Sequence, residues 1–352
     1  MVNLKALSPE ELKEFIESLS LPSYRARQII HRIYEKWATS IDDIKEFSWG
    51  LRHELSQYAY ISNLKLLQRE RAADGTEKFL FELEDGLTIE SVLIPDEDRL
   101  TLCVSSQVGC AMGCDFCLTG TMGLKRNLRA FEIVDQVIQV SKIINPERIT
   151  NIVFMGMGEP LNNLAEVAEA LRRITQLVKI SRRRITLSTC GVVPKLLQLP
   201  EAAPAVNIAI SLNATTDEVR DRIMPVNRRY PIRKLLDACR AYPLEPRRRI
   251  TFEYVLLKGI NDSDADARRL VRLLGGIPSK INLIPFNPYR GAKYQRPDDE
   301  RILRFQKILT DAGMTALIRK SKGAEISGAC GQLAGRCSDL KDEPAPVHSG
   351  RF

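Results

Sequence analysis

Cys110, Cys114 and Cys117 stand in the spacing C-x3-C-x2-C, just after a short β-type run at 101–105. Three thiolates can hold three irons of a [4Fe–4S] cube and leave the fourth iron without a protein ligand. An open position on a metal is where a substrate binds. The occupant this spacing suggests is the amino and carboxylate end of S-adenosylmethionine, whose sulfonium one electron can split to give a 5′-deoxyadenosyl radical. Zinc, held by the same thiolates and a distant fourth ligand, is the alternative. His-rich zinc catalysis is disfavoured, because the chain has only three histidines, His31, His53 and His348, none near the motif. An ordinary ferredoxin cluster wants four cysteines.

Small polar groups recur where later β-type runs end. The second run closes on Met155-Gly156-Met157-Gly158-Glu159-Pro160, whose glycines leave backbone carbonyls free to grip an ammonium group, with Glu159 adding negative charge. The third ends in Ser188-Thr189-Cys190-Gly191, the fourth in Ser211-Leu212-Asn213 and the sixth in Pro285-Phe286-Asn287-Pro288. Each alone reads as a turn or cap; in succession they suit an amino-acid head and a ribose. Two further cysteines stand apart. Cys103 reads as a buried strand residue. Cys330, in Gly328-Ala-Cys-Gly-Gln-Leu-Ala-Gly335, lies among small residues that suit a mobile nucleophile. Cys239, beside Leu235 and Leu236, reads as core, and no role is assigned to Cys190 or Cys337.

The elements that must position these residues follow from periodicity. Residues 1–60 read as a helical accessory domain: Ser8-Pro9-Glu10-Glu11 is a capping sequence ahead of Leu12, Phe15, Ile16 and Leu19, and Leu21-Pro22 breaks the run. Residues 61–98 read as a β-hairpin and linker, with a turn at Asp85-Gly86 and a boundary near Pro95. From residue 99 to 337, seven β-type runs alternate with amphipathic helical stretches such as 130–144 and 164–177. That alternation predicts an α/β fold, a parallel sheet curled into an incomplete (β/α) barrel, with chemistry in the loops after the strands. Residues 338–352, with Pro344, Pro346 and Gly350, read as a flexible tail.

The 352 residues are 44% apolar and 27% charged, as in an ordinary globular protein. No run of eighteen apolar residues and no cleavable leader pattern is apparent, so the expectation is a cytoplasmic protein without a membrane span. Eight cysteines then point to metal or redox chemistry in place of a disulfide framework. The net charge of +8 is partly clustered, at Arg182–Arg184, Arg228-Arg229, Arg247–Arg249 and Arg319-Lys320-Ser321-Lys322. Such clusters suit phosphate contacts, and equally a solvated surface.

With these residues in hand, the sequence resembles the RlmN family of dual-specificity RNA methyltransferases. The resemblance runs from the N-terminal helices to about Gly335. It includes Thr101-Leu-Cys-Val-Ser-Ser-Gln-Val-Gly-Cys110, Gly156-Met-Gly-Glu-Pro160, Ile281-Asn-Leu-Ile-Pro-Phe-Asn-Pro288 and Ala329-Cys-Gly-Gln-Leu-Ala-Gly335. It implies methylation of C2 of adenosine in 23S rRNA and tRNA, with two S-adenosylmethionine molecules per turnover. Cys330 would take a methyl from the first; hydrogen abstraction from that methyl would yield a carbon radical that adds to C2. Cys103 would release the product through a disulfide with Cys330, and Glu90 would be the proton acceptor. From the residues alone, Glu90 reads as a solvent-facing strand residue. By the same resemblance Gly158, Glu159, Ser188, Ser211, Leu212, Asn213 and Asn287 contact S-adenosylmethionine. Asn213 departs from family members that carry His there; both side chains can hydrogen-bond. The implied partners are the two RNAs and a one-electron reductant such as flavodoxin or ferredoxin, acting on a monomer. Rival readings are a C8 methyltransferase of the related Cfr type, a radical activase acting on a protein, and a non-catalytic iron–sulfur RNA-binding protein.

Overall fold

The computed structural model describes residues 1–335; Cys337 and the expected tail lie outside the described residues. Among the described residues, ten strands form one sheet in which each strand pairs with the next strand of that sheet along the chain. β1 (Lys65–Arg71), β2 (Glu77–Glu82), β3 (Thr88–Asp96) and β4 (Arg99–Cys103) run antiparallel. From β4 onward the pairing is parallel, through β5 (Asn151–Phe154), β6 (Ile185–Thr189), β7 (Asn207–Ser211), β8 (Ile250–Leu256), β9 (Ser279–Pro285) and β10 (Ala316–Ile318). These seven parallel strands sit where the seven β-type runs are expected. The arc does not close: β1 and β10 are its edges among the described residues.

Continuous burial drives the parallel part. Six of seven residues of β8 are buried, the pattern of a strand covered on both faces. Helices supply the cover, chief among them α4 (Ala130–Ile144) and α5 (Leu164–Gln176). The expected hairpin turns at Asp85-Gly86, where Gly86 adopts φ 80° and the Asp85 carboxylate accepts from Leu87 N–H at 3.1 Å. The expected boundary near Pro95 falls differently. The acidic run that reads as a linker is the end of β3 and a two-residue turn, Glu97-Asp98, and β3 and β4 pair directly (Ile94 with Thr101). Segment 61–98 thereby continues the barrel sheet.

The N-terminal helices are α1, α2 and α3, over Pro9–Ser18, Tyr24–Glu35 and Trp49–Tyr58. α1 begins with the capping box read from the sequence: Ser8 Oγ accepts from Glu11 N–H at 3.1 Å, and Glu11 Oε2 accepts from Ser8 N–H at 2.8 Å. The Lys5 ammonium, itself buried, reaches Asp135 on α4 at 2.5 Å and Asn63 Oδ1 at 3.2 Å. Arg173 on α5 donates to the Lys5 carbonyl at 2.6 Å. Buried polar bonds thus fasten the N-terminal segment to the barrel's outer helices.

Candidate active site

The cluster motif sits on a ribbon that leaves the sheet after β4. Residues Gln107–Cys110 pair antiparallel with Gly123–Asn127. At φ 76°, Gly109 lies so close that a Cβ would come within 1.9 Å of the Gly123 carbonyl oxygen, so no other residue fits there. Between the two strands the chain folds back through Cys117 N–H to Cys114 O (3.0 Å) and a single helical turn, Leu118–Thr121. The outcome is that Cys110, Cys114 and Cys117 line one cavity at the C-terminal ends of the parallel strands. Its volume is about 930 Å³, including space open to solvent.

Burial pushes the Cys110 thiol up to about 12 and the Cys114 and Cys117 thiols upward too. Thiols held this way stay protonated unless a metal takes them as thiolates. Among the described residues, no three His, Cys, Asp or Glu side chains are placed to hold a metal ion. Three soft thiols lining one cavity suit a cluster, whose irons each need only one of them.

The glycine-rich end of β5 packs on the start of this ribbon. A Cβ on Gly158 (φ 101°) would meet the Gln107 side chain at 2.5 Å. The Glu159 carboxylate, buried, is engaged by its own chain: Oε1 accepts from Thr189 Oγ1 (2.6 Å) and Leu161 N–H (3.0 Å), and Oε2 from Cys190 N–H (2.8 Å). Burial raises its pKa, and the bonds from Cys190 and Thr189 oppose the rise. Its carboxylate therefore couples the ends of β5 and β6.

Ser188, Ser211, Asn213 and Asn287 also reach the cavity. Asn213 adopts φ 57° and its Oδ1 accepts from Val255 N–H at 2.8 Å, bridging the ends of β7 and β8. Asn287 donates to the Cys330 carbonyl at 3.3 Å. Leu212 is placed otherwise. Its side chain is fully buried in the core, its N–H donates to Glu253 O and its carbonyl accepts from Arg220 Nε at 2.9 Å.

Cys330 lies on the cavity wall, in a segment tied to both sides of the site. Leu118 N–H donates to Gly331 O at 2.7 Å and Thr119 Oγ1 to Leu333 O at 2.6 Å, so the segment is bonded to the cluster loop itself. On the other side, Glu90 Oε2 accepts from the N–H groups of Ala334 (2.7 Å) and Gly335 (3.0 Å), while Lys78 holds Oε1 at 3.2 Å. Glu90 is therefore no solvent-facing residue: it is 1% exposed, in a stretch of β3 covered on both faces. Cys103 ends β4 behind the cavity wall. Burial pushes its thiol up to about 12, the nearby Cys330 thiol adds to the rise and Arg319 opposes it. Both are free thiols, as are all seven described cysteines, so the disulfide implied by the resemblance is not formed here.

Three residues of the site escape sequence reasoning. Arg319 reads there as part of a basic surface cluster, yet its guanidinium lines the cavity beside Cys330, Cys103 and Glu253. Arg220, fully buried, donates to the carbonyls of Cys190 (2.8 Å), Ser211 (3.1 Å) and Leu212 (2.9 Å), clamping two strand ends. Glu253 also lines the cavity; a lone charge inside the apolar run Ile250–Leu256 was its legible signal.

A parallel barrel arc with three cavity-facing thiols after its first strand defines a radical S-adenosylmethionine protein, and residues 104–271 match the profile of the Radical SAM superfamily. Residues 2–61 match the ribosomal RNA large subunit methyltransferase N-terminal domain. The chain is 53% identical over 337 residues to the dual-specificity RNA methyltransferase RlmN of Geotalea uraniireducens, covering 95% of this chain and 97% of that one. It is 52% identical to the RlmN of Geobacter sulfurreducens, covering 98% and 95%. A crystal structure of a radical SAM methyltransferase from Sphaerobacter thermophilus superposes with a TM-score of 0.91 at 44% identity, over 96% of this chain and all of that one. The chain belongs to the RlmN family of dual-specificity RNA methyltransferases.

Proposed function

We propose that this chain methylates C2 of adenosine in 23S rRNA and in tRNA, with Cys330 as the methyl carrier. The observation that carries the reading is the placement of Cys330: it shares the cavity of Cys110, Cys114 and Cys117, and the residues that follow it, Gly331 and Leu333, accept hydrogen bonds from their loop. Cys110, Cys114 and Cys117 would hold a [4Fe–4S] cluster, which together with S-adenosylmethionine would supply one-electron cleavage of the sulfonium. Adenine C2 is an electron-poor amidine carbon that will not attack a sulfonium methyl by displacement, which is why a protein-bound carbon is required. Cys330 takes the methyl as a thioether, losing its thiol proton and releasing S-adenosylhomocysteine. After hydrogen abstraction its methylene carbon would bond to C2, and the adduct's unpaired electron would return to the one-electron centre held by the three cysteines.

Glu90 is the proposed acceptor of the C2 proton, its carboxylate placed beside the Lys78 ammonium at 3.2 Å. Cys103 then attacks the Cys330 sulfur as a thiolate, forming the disulfide, and the expelled methylene carbon takes up a proton to become the methyl of the released product. Gly158, Glu159, Ser188, Ser211, Asn213 and Asn287 are the proposed S-adenosylmethionine contacts, and Leu212 acts from the core behind them, its backbone bonded to Glu253 and Arg220. No helix among the described residues is long and apolar enough to cross a membrane. A cytoplasmic monomer served by a flavodoxin- or ferredoxin-type donor completes the proposal.

The test is nucleoside mass spectrometry after anaerobic reaction of reconstituted protein with S-adenosylmethionine, reductant and protein-free RNA. 2-Methyladenosine that disappears with Cys330→Ala is the expected result. Product at C8, or product that survives Cys330→Ala, overturns it.

A further inference from the structure

Glu253 occupies the middle of β8, a strand otherwise made of Ile, Thr, Phe, Tyr, Val and Leu, and is 4% exposed. It stands level with Ser211 on β7 and Asn282 on β9. Asn282 Nδ2 donates to Oε1 at 3.0 Å and fixes the carboxylate. Oε2 is buried, has no hydrogen-bond partner among the described residues, and belongs to a side chain on the cavity wall. A buried acceptor left unmade costs about 1–3 kcal/mol and more when charged, so an oxygen in this position is completed by a donor that arrives with a ligand. Burial raises the carboxyl's pKa, opposed only by Arg319, Asn282 and Lys280, which marks the group as short of donors.

The donor's identity follows from position, taking the proposed S-adenosylmethionine site as given. The ammonium end belongs with the thiols and the glycine-rich end of β5, three strands away from β8. Beside Glu253 are Ser211 and Asn213, which line the same cavity, and with the ammonium end placed at β5 the nucleoside end falls on this side. A nucleoside there offers a vicinal pair of hydroxyls, and a fixed carboxylate is the usual acceptor for a ribose diol. We propose that Glu253 binds the ribose of S-adenosylmethionine, its free Oε2 accepting a hydrogen bond from one of the two vicinal hydroxyls, while Asn282 holds the carboxylate in place.

The experiment is an equilibrium titration of the reconstituted protein, without RNA, with S-adenosylhomocysteine and with its 2′-deoxy and 3′-deoxy analogues. Wild-type protein should lose affinity for one deoxy analogue. Glu253→Gln and Glu253→Ala should bind S-adenosylhomocysteine about tenfold to a hundredfold more weakly, and this loss should collapse for the same deoxy analogue. Unchanged cluster absorbance in Glu253→Gln shows that the site is still assembled. Wild-type protein that binds all three probes equally overturns the assignment. So does a variant whose loss is the same for every probe, or one that binds S-adenosylhomocysteine normally and loses only RNA, which would turn the carboxylate toward the target adenine. Because no RNA is present, failure to methylate RNA and failure of the ribose contact are separate results.

Discussion

Cys103 and Cys330, near enough for one thiol to shift the other's pKa, lie in environments that assign them different tasks. Cys330 lies on the cavity wall, among small residues, where a methyl donor can reach it. Cys103 is buried, with its thiol pushed up to about 12. It is therefore protonated at neutral pH, and its thiolate fraction rises about tenfold per pH unit up to that value. Product release that needs its thiolate should accelerate steadily from pH 7 to pH 9 in rapid-quench measurements on preformed adduct. A rate that levels off near pH 8 would mean an ordinary thiol. Cys103→Ala should stop at a covalent protein–RNA adduct, seen as a retarded band on a denaturing gel. Free methylated RNA at the normal rate would remove Cys103 from the reaction. Part of this was legible in the residues: the C-x3-C-x2-C spacing marks the cluster ligands without any fold. Glu90 and Arg319 were not legible, since a charge in a strand or a basic run reads as surface until the third dimension covers it.

Elements near the site are held by polar bonds as much as by apolar packing. The Cys330 segment hangs between the cluster loop and Glu90, and Arg220 joins the ends of β6 and β7. The N-terminal segment is fastened by Lys5 to Asp135 on α4, a pair in which both side chains are almost completely buried. Removing one partner leaves a buried charge, so Lys5→Met should lower unfolding stability by about 3–5 kcal/mol in urea titrations. Lys5→Met combined with Asp135→Leu should recover most of that loss; a double variant as unstable as the single one would show that the pair does more than neutralise charge. The helices themselves were readable from capping and periodicity, as α1 with its capping box shows. Their attachment was not, because Lys5 and Asp135 are 130 positions apart and nothing local pairs them.

At the scale of the whole molecule, one basic cluster lies at the pole opposite the chemistry. The cavity is at the C-terminal ends of the parallel strands. Arg183, Arg184, Arg249 and Lys280 instead share a polar groove at the N-terminal ends of β6, β8 and β9. Arg182 and Arg248 lie beside it and are partly neutralised by Glu245. A strand of seven residues spans about 20 Å, so only a large RNA can touch both poles. Replacing Arg183, Arg184 and Arg249 together by Ala should weaken binding of full-length tRNA or rRNA fragments and flatten its salt dependence. Methylation of a short stem-loop should be unaffected. Unchanged affinity and slope for the long RNA would make the groove a solvated surface.

What the sequence determined by itself was whatever depends on near neighbours: the cluster spacing, the alternation that makes a parallel arc, the α1 cap and the turn at Asp85-Gly86. These are set by local geometry and by burial patterns a few residues long. Only the tertiary structure decided what depends on distant residues meeting in a low-dielectric interior. It turned the acidic linker near Pro95 into a hairpin, brought Glu90 under the Cys330 segment, moved Arg319 from surface cluster to cavity wall and left one oxygen of Glu253 without a partner among the described residues. In each case the sequence specifies a polar group, and only the fold decides which side of the water boundary it lies on.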